Sequence, residues 1–451
     1  MKYICTFTLL ILCSTAWSQD NFSYTKHDGT IVTLNTFEGV NTLFSFDEDL
    51  FPELTDEMIQ NSILPAFDKA MENYRYFGAD IYPQQDWVTH SSFGYNHKGS
   101  VALVDSTCGA GCGAGSKAEV LNSIIKSDQT RTNYQTDPSI PTFWWIALYE
   151  LGRGSANFSA YKNLSFNPDN HHIVGASFPH LIANITLNDL GYTPDEVFNE
   201  VKNSIYQFRN RYDIALSQGY KFSDWFTDEN GNSLENGPIE STDVLAIALY
   251  EFYLQYGKEA LKTFFEMIKL DDTSVSTSDE YACRISNNMD QAVLHLDLGG
   301  TASSFLQSDL GFPECGSALV NEYNSHCLDL PSPFTSGTKI INWACHYSSN
   351  QQWNLLKVFS GEPESLGEQI VNEVPALKII NQDGYCLELE SQTVGSEVYL
   401  QNCDSRSINQ LFSLTAEKEL RTTSNQCLDA NGSRALLWAC HGGTNQMWHI
   451  E

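Results

Sequence analysis

The stretch CLDLPSPFTSGTKIINWACHYSSNQQW, residues 327–353, occurs in two further versions downstream. The second version is CLELESQTVGSEVYLQNCDSRSINQLF at residues 386–412, and the third is CLDANGSRALLWACHGGTNQMW at residues 427–448. Each version opens with Cys-Leu and an acidic residue, contains a second cysteine, and closes with Asn-Gln and an aromatic residue two positions later. Internal repetition constrains a fold more strongly than local propensity does. The repeats therefore indicate a threefold architecture near the end of the chain.

This combined pattern resembles the ricin B-chain lectin family, whose repeats end in Gln-x-Trp. The resemblance covers residues 316–451 and implies an all-β β-trefoil that binds glycans or glycoconjugates. It also implies three disulfides, which pair Cys327 with Cys345, Cys386 with Cys403, and Cys427 with Cys440.

In the family resembled, a carboxylate binds adjacent sugar hydroxyls and an aromatic ring covers the apolar face of the pyranose. A carboxylate accepts from two hydroxyl donors, and an aromatic ring supplies contact area at little entropic cost. The matching residues are Asp329, Trp343, Asn350 and Gln351 in the first repeat, and Asp429, Trp438, Asn445 and Gln446 in the third. The resemblance does not imply galactose specificity, because Ile341 and Leu436 stand where galactose binders of the family often carry a polar side chain.

The middle repeat departs from this pattern. Glu388 replaces the aspartate, Gln401 occupies the position of the aromatic ring, and Phe412 replaces the closing tryptophan. We expect this repeat to complete the barrel without binding sugar. For the outer repeats an alternative stays open, since Asp329 and Asp429 can also serve as turn residues that bond their own backbone. Trp353, Trp448 and Phe412 are expected to lie in the core.

Composition places limits on the rest of the chain. With 451 residues it exceeds one ordinary domain, and 42% hydrophobic against 18% charged residues indicates a globular protein. The formal net charge is −31, and residues 316–451, with seven basic and fifteen acidic residues, account for −8 of it. Such a charge repels phosphate backbones and anionic lipid head groups. Nucleic acid is therefore a poor partner.

Residues 1–19 have the pattern of a secretory signal peptide, with Lys2 before an apolar stretch and small residues near a cleavage position. An uncleaved anchor is the alternative. No later apolar run has the ~18 residues that a transmembrane helix needs. We therefore expect a secreted protein without a transmembrane anchor, of unknown oligomeric state.

Cysteine usage agrees with an oxidising compartment. Twelve cysteines are present, and ten remain once Cys5 and Cys13 are removed with the signal peptide. Outside the three repeat pairs lie Cys108, Cys112, Cys283 and Cys315, which allow three connectivities. Of these we favour Cys108–Cys112 with Cys283–Cys315.

Residues 20–315 predict an α-rich α+β domain of unknown function. Apolar spacing predicts a helix over 55–77 that Gly78 ends, and a buried strand ending at Val104. Further helices are expected over 143–149, from the Thr193–Glu196 capping box onward, over 243–255 and over 258–268. Residues 270–312 are expected to be an irregular closing segment with short elements.

The sequence FWWIALYELGR, residues 143–153, resembles the H-E-x-x-H helix of zinc peptidases. Tyr149 and Arg153 stand at the two histidine positions, and an arginine cannot bind zinc. We therefore predict neither a metal nor another cofactor, and the catalytic residues are unknown. Glu150 and Arg153 are expected to form a structural ion pair, and an ion pair that orients a substrate is the alternative. A secreted glycosidase or peptidase targeted by its lectin domain remains the alternative function.

A possible metal cluster comprises Asp169, His171, His172 and His180. Their spacing does not place them on one helical face, and Pro179 interrupts helical periodicity. We therefore expect loop histidines.

Overall fold

The computed structural model describes most of the chain, including all residues after 364. The described residues are 18–25, 29–49, 51–52, 54–79, 99–104, 111–114, 117–121, 141–153, 160–164, 172–201, 204–226, 239–361 and 365–451. The predicted signal peptide, apart from its last two residues, and the predicted Cys108–Cys112 pairing lie outside them. The chain forms two compact units, one of residues 1–157 and 182–204, the other of residues 158–181 and 205–451. The second unit holds both helices and the β-trefoil, so the domain limits at 20–315 and 316–451 stay a prediction.

The first unit is built on a six-stranded mixed sheet. Its strands, in spatial order, are Ser18–Thr25, Ile31–Glu38, Thr42–Phe46, Gly99–Val104, Lys117–Leu121 and Gly111–Ala114. Gly99–Val104 pairs in parallel with both of its neighbours, and the other pairs are antiparallel. The buried strand predicted to end at Val104 is therefore confirmed.

A long helical segment follows the first three strands of this sheet. It comprises α-helix Asp56–Met58, a π-helical stretch Ile59–Ile63 and α-helix Leu64–Tyr76. Its side chain Phe67 packs against Phe44 of the sheet, with ring centroids 5.8 Å apart. The helix predicted over 55–77 is confirmed, and the chain leaves it through Gly78 at φ +81°.

Helices Pro141–Arg153 and Pro194–Glu200 also belong to the first unit, as does the part of helix His172–Asp189 from Ile182 onward. The predicted capping box is present, because the Thr193 hydroxyl accepts from the N–H of Glu196 and the Glu196 carboxylate accepts from the N–H of Thr193. The hydroxyl of buried Tyr74 donates to the carbonyl of Leu148 at 2.9 Å. This bond ties two helices of the unit together.

Helices precede the β-trefoil in the second unit. They are Tyr161–Leu164, Ile205–Ser217, the 3-10 turn Phe222–Trp225, Ser241–Leu270, Ser278–His295 and Ala302–Leu310. The two helices predicted over 243–255 and 258–268 form one segment, Ser241–Leu270, broken at Gly257, where φ is +86°. In the described part of the chain, no helix has an apolar stretch long enough to cross a membrane.

The prediction of an irregular segment with short elements over 270–312 is wrong in part, because the 18-residue helix Ser278–His295 occupies much of it, together with the shorter helix Ala302–Leu310. Ser278–His295 begins at a capping box between Thr277 and Glu280 and buries one face. The capping box and the apolar positions Tyr281, Ile285 and Met289 are helix signals present in the sequence. The disulfide Cys283–Cys315 joins this helix to the residues that lead into the β-trefoil.

The C-terminal region is all-β. Four strands come from each repeat: Leu319–Asn321, His326–Asp329, Ile341–Ala344 and Trp353–Lys357; Leu377–Asn381, Tyr385–Leu389, Val398–Asn402 and Phe412–Leu414; Leu420–Thr422, Gln426–Asn431, Arg434–Ala439 and Trp448–Ile450. The closing aromatic residues Trp353, Phe412 and Trp448 lie buried in one cluster with leucines from all three repeats. The indole N–H groups of Trp353 and Trp448 donate to the carbonyls of Leu328 and Leu428, both at 2.9 Å. The core thus gathers equivalent positions of the three repeats, as a β-trefoil requires.

Each repeat carries one disulfide, and the pairs are Cys327–Cys345, Cys386–Cys403 and Cys427–Cys440. Each joins the second strand of its repeat to the chain just after the third strand. The bond therefore fixes the base of the hairpin that carries the candidate site.

Candidate functional site

The first candidate site lies on the hairpin formed by strands His326–Asp329 and Ile341–Ala344. The register places Asp329 directly opposite Ile341, and Cys327 opposite Trp343. Because alternate residues of a strand share a face, the acid and the indole stand on the same side of the hairpin. The disulfide from Cys327 lies at the end next to the indole.

Asp329 is held from behind by the closing motif of its own repeat. Gln351 Nε2 donates to Oδ2 of Asp329 at 2.6 Å, and Asn350 Nδ2 reaches the same oxygen at 3.3 Å. Asp329 is 4% exposed and Gln351 is completely buried. Among the described residues, no donor bonds Oδ1 of Asp329, so this oxygen keeps its capacity to accept. Gln351, by contrast, has no exposed surface with which to touch a ligand in this structure.

Gln351 is also bound at its other end. Its amide oxygen accepts from the backbone N–H groups of His346 and Tyr347, and its amide nitrogen donates to the carbonyl of Ala344. The side chain thus joins the loop after the disulfide to the acid. Its role is to position Asp329.

Trp343 is 53% exposed, which is unusual for an indole. Nothing in the described structure covers its outer surface, and it stands beside the acid on the same face of the hairpin. An exposed ring next to a buried carboxylate combines an apolar platform with an acceptor.

His346 also lies at this site, although it was not predicted from the sequence. Its Nε2 lies 3.2 Å from Oδ2 of Asp329, and its Nδ1 accepts the N–H of Ser348 at 3.3 Å. The two ring nitrogens of His346 therefore face the acid on one side and the backbone of the following loop on the other. A signal was present, because a histidine follows the second cysteine in the first and third repeats but not in the middle one.

The third repeat builds the same arrangement. Oδ2 of Asp429 accepts from Asn445 at 2.7 Å and from Gln446 at 3.0 Å, and His441 Nε2 lies 3.5 Å away. Gln446 is completely buried, whereas Trp438 is 45% exposed. The shorter loop between the cysteines of this repeat therefore leaves the arrangement of acid, amides, imidazole and indole intact.

The middle repeat retains the hydrogen bond from glutamine to the acid but lacks the exposed indole. Gln410 Nε2 donates to Oε2 of Glu388 at 2.7 Å, as the equivalent glutamines do in the other repeats. The indole position holds Gln401, which accepts from the Ser336 hydroxyl. The supporting Gln410 is itself bound by Lys378, which has no exposed surface and donates to Gln410 Oε1 at 2.8 Å. Burial lowers the pKa of Lys378 to about 8.

The candidates in the N-terminal region are only partly described. Tyr149 is buried, and its ring stacks on Trp145 at 5.6 Å, while Glu150 is 8% exposed. The side chain of Arg153 lies outside the described residues, so the predicted ion pair with Glu150 stays a prediction. No described feature of this helix assigns a reaction to it.

The histidine cluster is not a loop feature. His172 begins helix His172–Asp189, and His180 lies within it, one residue after Pro179. The expectation of loop histidines is therefore wrong for both, although Asp169 and His171 lie outside the described residues. His180 is buried, with Nε2 3.9 Å from Oδ1 of Asp243, and burial raises the pKa of Asp243 to about 7.

Comparisons with known proteins concern the β-trefoil. Residues 375–451, which contain the second and third repeats, match the ricin-type beta-trefoil lectin domain. No curated protein matches the chain. The resemblance of residues 143–153 to a zinc peptidase gains no support from the comparisons.

Several solved structures are similar to about a third of the chain. The designed threefold-symmetric protein ThreeFoil is 21% identical, with 30% of this chain and 96% of that chain covered at a TM-score of 0.25. The ricin B-like lectin of Macrolepiota procera, solved with lactose, is 20% identical, with 30% and 93% covered at 0.22. A non-toxic homologue of type II RIPs from Momordica charantia, solved with α-methyl-D-galactoside, is 20% identical, with 30% and 46% covered at 0.23. These scores are too low to support an argument about function.

Proposed function

We propose that this chain is a carbohydrate-binding protein whose first and third β-trefoil repeats each bind a saccharide. The observation that carries the proposal is the repeated arrangement of a buried carboxylate beside an exposed indole, at Asp329 with Trp343 and at Asp429 with Trp438. The match of residues 375–451 to a lectin domain supports it.

The carboxylate supplies the polar part of the interaction. In each site one oxygen is occupied by amide donors, and the other is left to accept from sugar hydroxyls. The carboxylate is held in place before the ligand arrives, so little side-chain entropy is lost on binding. A bond to a charged acceptor is also stronger than one between neutral groups.

The exposed rings supply the apolar part. A pyranose presents a face of C–H groups, and an indole lying flat against that face buries apolar area from both partners. Ile341, directly opposite Asp329 and partly exposed, adds an apolar edge to the first site, whereas Leu436, opposite Asp429, is buried. Asn350 and Asn445 stand at the rim, partly exposed, where an amide can both donate and accept.

The charge of the chain favours a neutral ligand. A formal net charge of −31 repels uronic and sialic acids as it does phosphate. Two equivalent sites on one chain gain avidity on a surface that displays many copies of the sugar. We further propose that the protein is secreted, which four disulfides in the described residues support.

A glycan array probed with the full chain tests the function. The variants are Asp329→Ala, Asp429→Ala, the double variant, and Glu388→Ala as the matched control in the middle repeat. Each single variant is expected to lower the signal and the double variant to remove most of it, by at least about tenfold, because avidity is lost with the second site. Glu388→Ala is expected to leave the signal unchanged. Equal signals from the wild type and the double variant would overturn the proposal.

A further inference from the structure

A second kind of pocket lies away from the repeat sites, within the second unit. Its volume is about 560 Å³, within the range of small-molecule sites. Gln255 and Tyr256 line one wall, just before the helix break at Gly257. Helix Ala302–Leu310 and the turn before it line another, and Asp383 of the middle repeat closes the rim. We call this the junction pocket.

The turn that carries Asp383 is fitted to the helical wall. Gly384 has φ +84°, and a Cβ there would lie 2.9 Å from Cγ2 of Thr301. The equivalent residues, two positions before the first cysteine of the other repeats, are Ser325 and Asn425, at φ +54° and +55°. All three turns use the left-handed conformation, but glycine occurs where Thr301 packs against the turn. The middle repeat is thus specialised for this contact, although it lacks the exposed indole.

Asp383 is held in position by its own turn. Asn381 Nδ2 donates to Oδ2 of Asp383 at 3.2 Å, and Asn381 Oδ1 accepts from the N–H of Tyr385 at 2.9 Å. Within the described residues no donor bonds Oδ1 of Asp383, and the residue is exposed at the pocket rim. One carboxylate oxygen is therefore available to a ligand.

The opposite wall supplies aromatic and neutral polar groups. The ring of Phe305 is half-buried and lies 6.3 Å from the ring of Tyr256, whose hydroxyl donates to the carbonyl of Thr301. The Gln255 amide and the Ser304 hydroxyl are exposed at the pocket. The lining contains no lysine or arginine. A carboxylate without a basic partner disfavours anions.

These groups suit a neutral, hydroxyl-rich ring. An acceptor carboxylate, an amide that both donates and accepts, a hydroxyl and an aromatic surface are also the elements of the two repeat sites. We propose that the junction pocket is a third carbohydrate site, which binds a neutral monosaccharide or disaccharide between Asp383 and Phe305. It uses none of the side chains of the repeat sites, so it does not depend on their function.

Saturation-transfer NMR on the full-length Asp329→Ala/Asp429→Ala variant tests this site. The probes are methyl α-D-galactoside, lactose and cellobiose at millimolar concentration. At least one sugar is expected to receive saturation in this background. Adding Asp383→Asn, which keeps the size of the side chain and its bond from Asn381, is expected to weaken binding about tenfold through loss of a charged acceptor. Adding Phe305→Ala is expected to abolish it.

Asp279→Asn, on the exposed start of a neighbouring helix, is the matched control and is expected to change nothing. Melting curves show whether the Phe305→Ala variant folds. If it does not fold, the isosteric Asp383→Asn variant still decides the test. The proposal is overturned if none of the three sugars binds the double variant, or if binding is insensitive to Asp383→Asn. If the proposed repeat sites do not bind sugar, the result is a different one: the wild type and the double variant give equal signals on the array.

Discussion

Gln351 donates to Asp329 at 2.6 Å from a completely buried position, and the same bond recurs from Gln446 to Asp429 and from Gln410 to Glu388. The glutamine of the closing motif thus supports an acid in all three repeats, whether or not an indole stands beside it. The residue that makes the motif recognisable in sequence is a support for the site rather than its contact surface.

Gln351→Ala is expected to lower both stability and binding. Truncation leaves the Asp329 carboxylate, the Ala344 carbonyl and two backbone N–H groups short of a partner, at a cost of about 2–3 kcal/mol in the free energy of unfolding. Asn350→Ala, at a partly exposed position, is the matched control and is expected to cost less than about 1 kcal/mol. Urea unfolding measures the stability of both variants, and the glycan array measures their binding. Equal losses would show that Gln351 has no special supporting role.

Trp343→Ala and Trp353→Ala are expected to separate binding from stability. Trp343 is 53% exposed, so its truncation is expected to remove binding at the first site with little change in melting temperature. Trp353 is buried and bonded to Leu328, and its truncation is expected to cost about 3–5 kcal/mol. Calorimetry with a sugar identified on the array follows both quantities. A destabilised Trp343→Ala with unchanged binding would reverse the two roles.

His346→Ala is expected to weaken binding at the first site about tenfold, because its imidazole lies 3.2 Å from Oδ2 of Asp329 and is itself accessible to a ligand. The measurement is titration calorimetry in the Asp429→Ala background, which leaves one repeat site. His449→Ala is the matched control, since His449 pairs with Glu322 away from the acid. Identical affinities for the two histidine variants would exclude His346 from the site.

Asp290→Asn is expected to stabilise the protein near neutral pH. Burial raises the pKa of Asp290 from 3.8 to about 6, although the N–H of Ser303 donates to it. The folded protein therefore keeps this proton up to about pH 6, whereas the unfolded chain releases it near 3.8. Between these pH values the folded state binds more protons than the unfolded chain. The contribution of Asp290 to the free energy of unfolding therefore falls as pH rises and stays low above pH 6.

The asparagine removes the buried charge but still accepts from Ser303, so we expect a gain of about 1–2 kcal/mol at pH 7.5. The loss of stability between pH 4 and 6 is expected to become smaller. Urea unfolding across this range is the measurement, with exposed Asp279→Asn as the control. A variant less stable than the wild type at pH 7.5 would refute the assignment.

Gly384→Ala is expected to be more costly than Gly442→Ala. Both glycines have positive φ, so either alanine is strained by about 1 kcal/mol. Only at Gly384 does the new Cβ meet a neighbour, Cγ2 of Thr301 at 2.9 Å, and we expect about 1 kcal/mol more there. Thr301→Ser removes that methyl group, and in this background Gly384→Ala is expected to cost no more than Gly442→Ala. Denaturation midpoints without such rescue would mean that the turn and Thr301 are not in tight contact.

The sequence was most informative where residues repeat. Three spaced copies identify the β-trefoil, its disulfide pairs and the core position of Trp353, because each signal is present three times. His346 was missed because its role depends on a loop that folds back to Asp329, which spacing along the chain does not reveal. The helix Ser278–His295 was not predicted for a different reason: its capping box and apolar positions are present in the sequence, but polar residues interrupt the apolar spacing and weaken the helical pattern.

In the middle repeat the residue that supports the acid, Gln410, and the residue at the indole position, Gln401, are different side chains. This has a consequence for the evolution of such a chain. The internal glutamine–acid bond persists there without an indole, so the proposed sugar recognition and the stability of the fold depend on different side chains of one repeat. A single surface substitution would then remove the proposed sugar binding of one lobe while the barrel stays intact. Valency in this architecture is therefore an adjustable trait, set lobe by lobe.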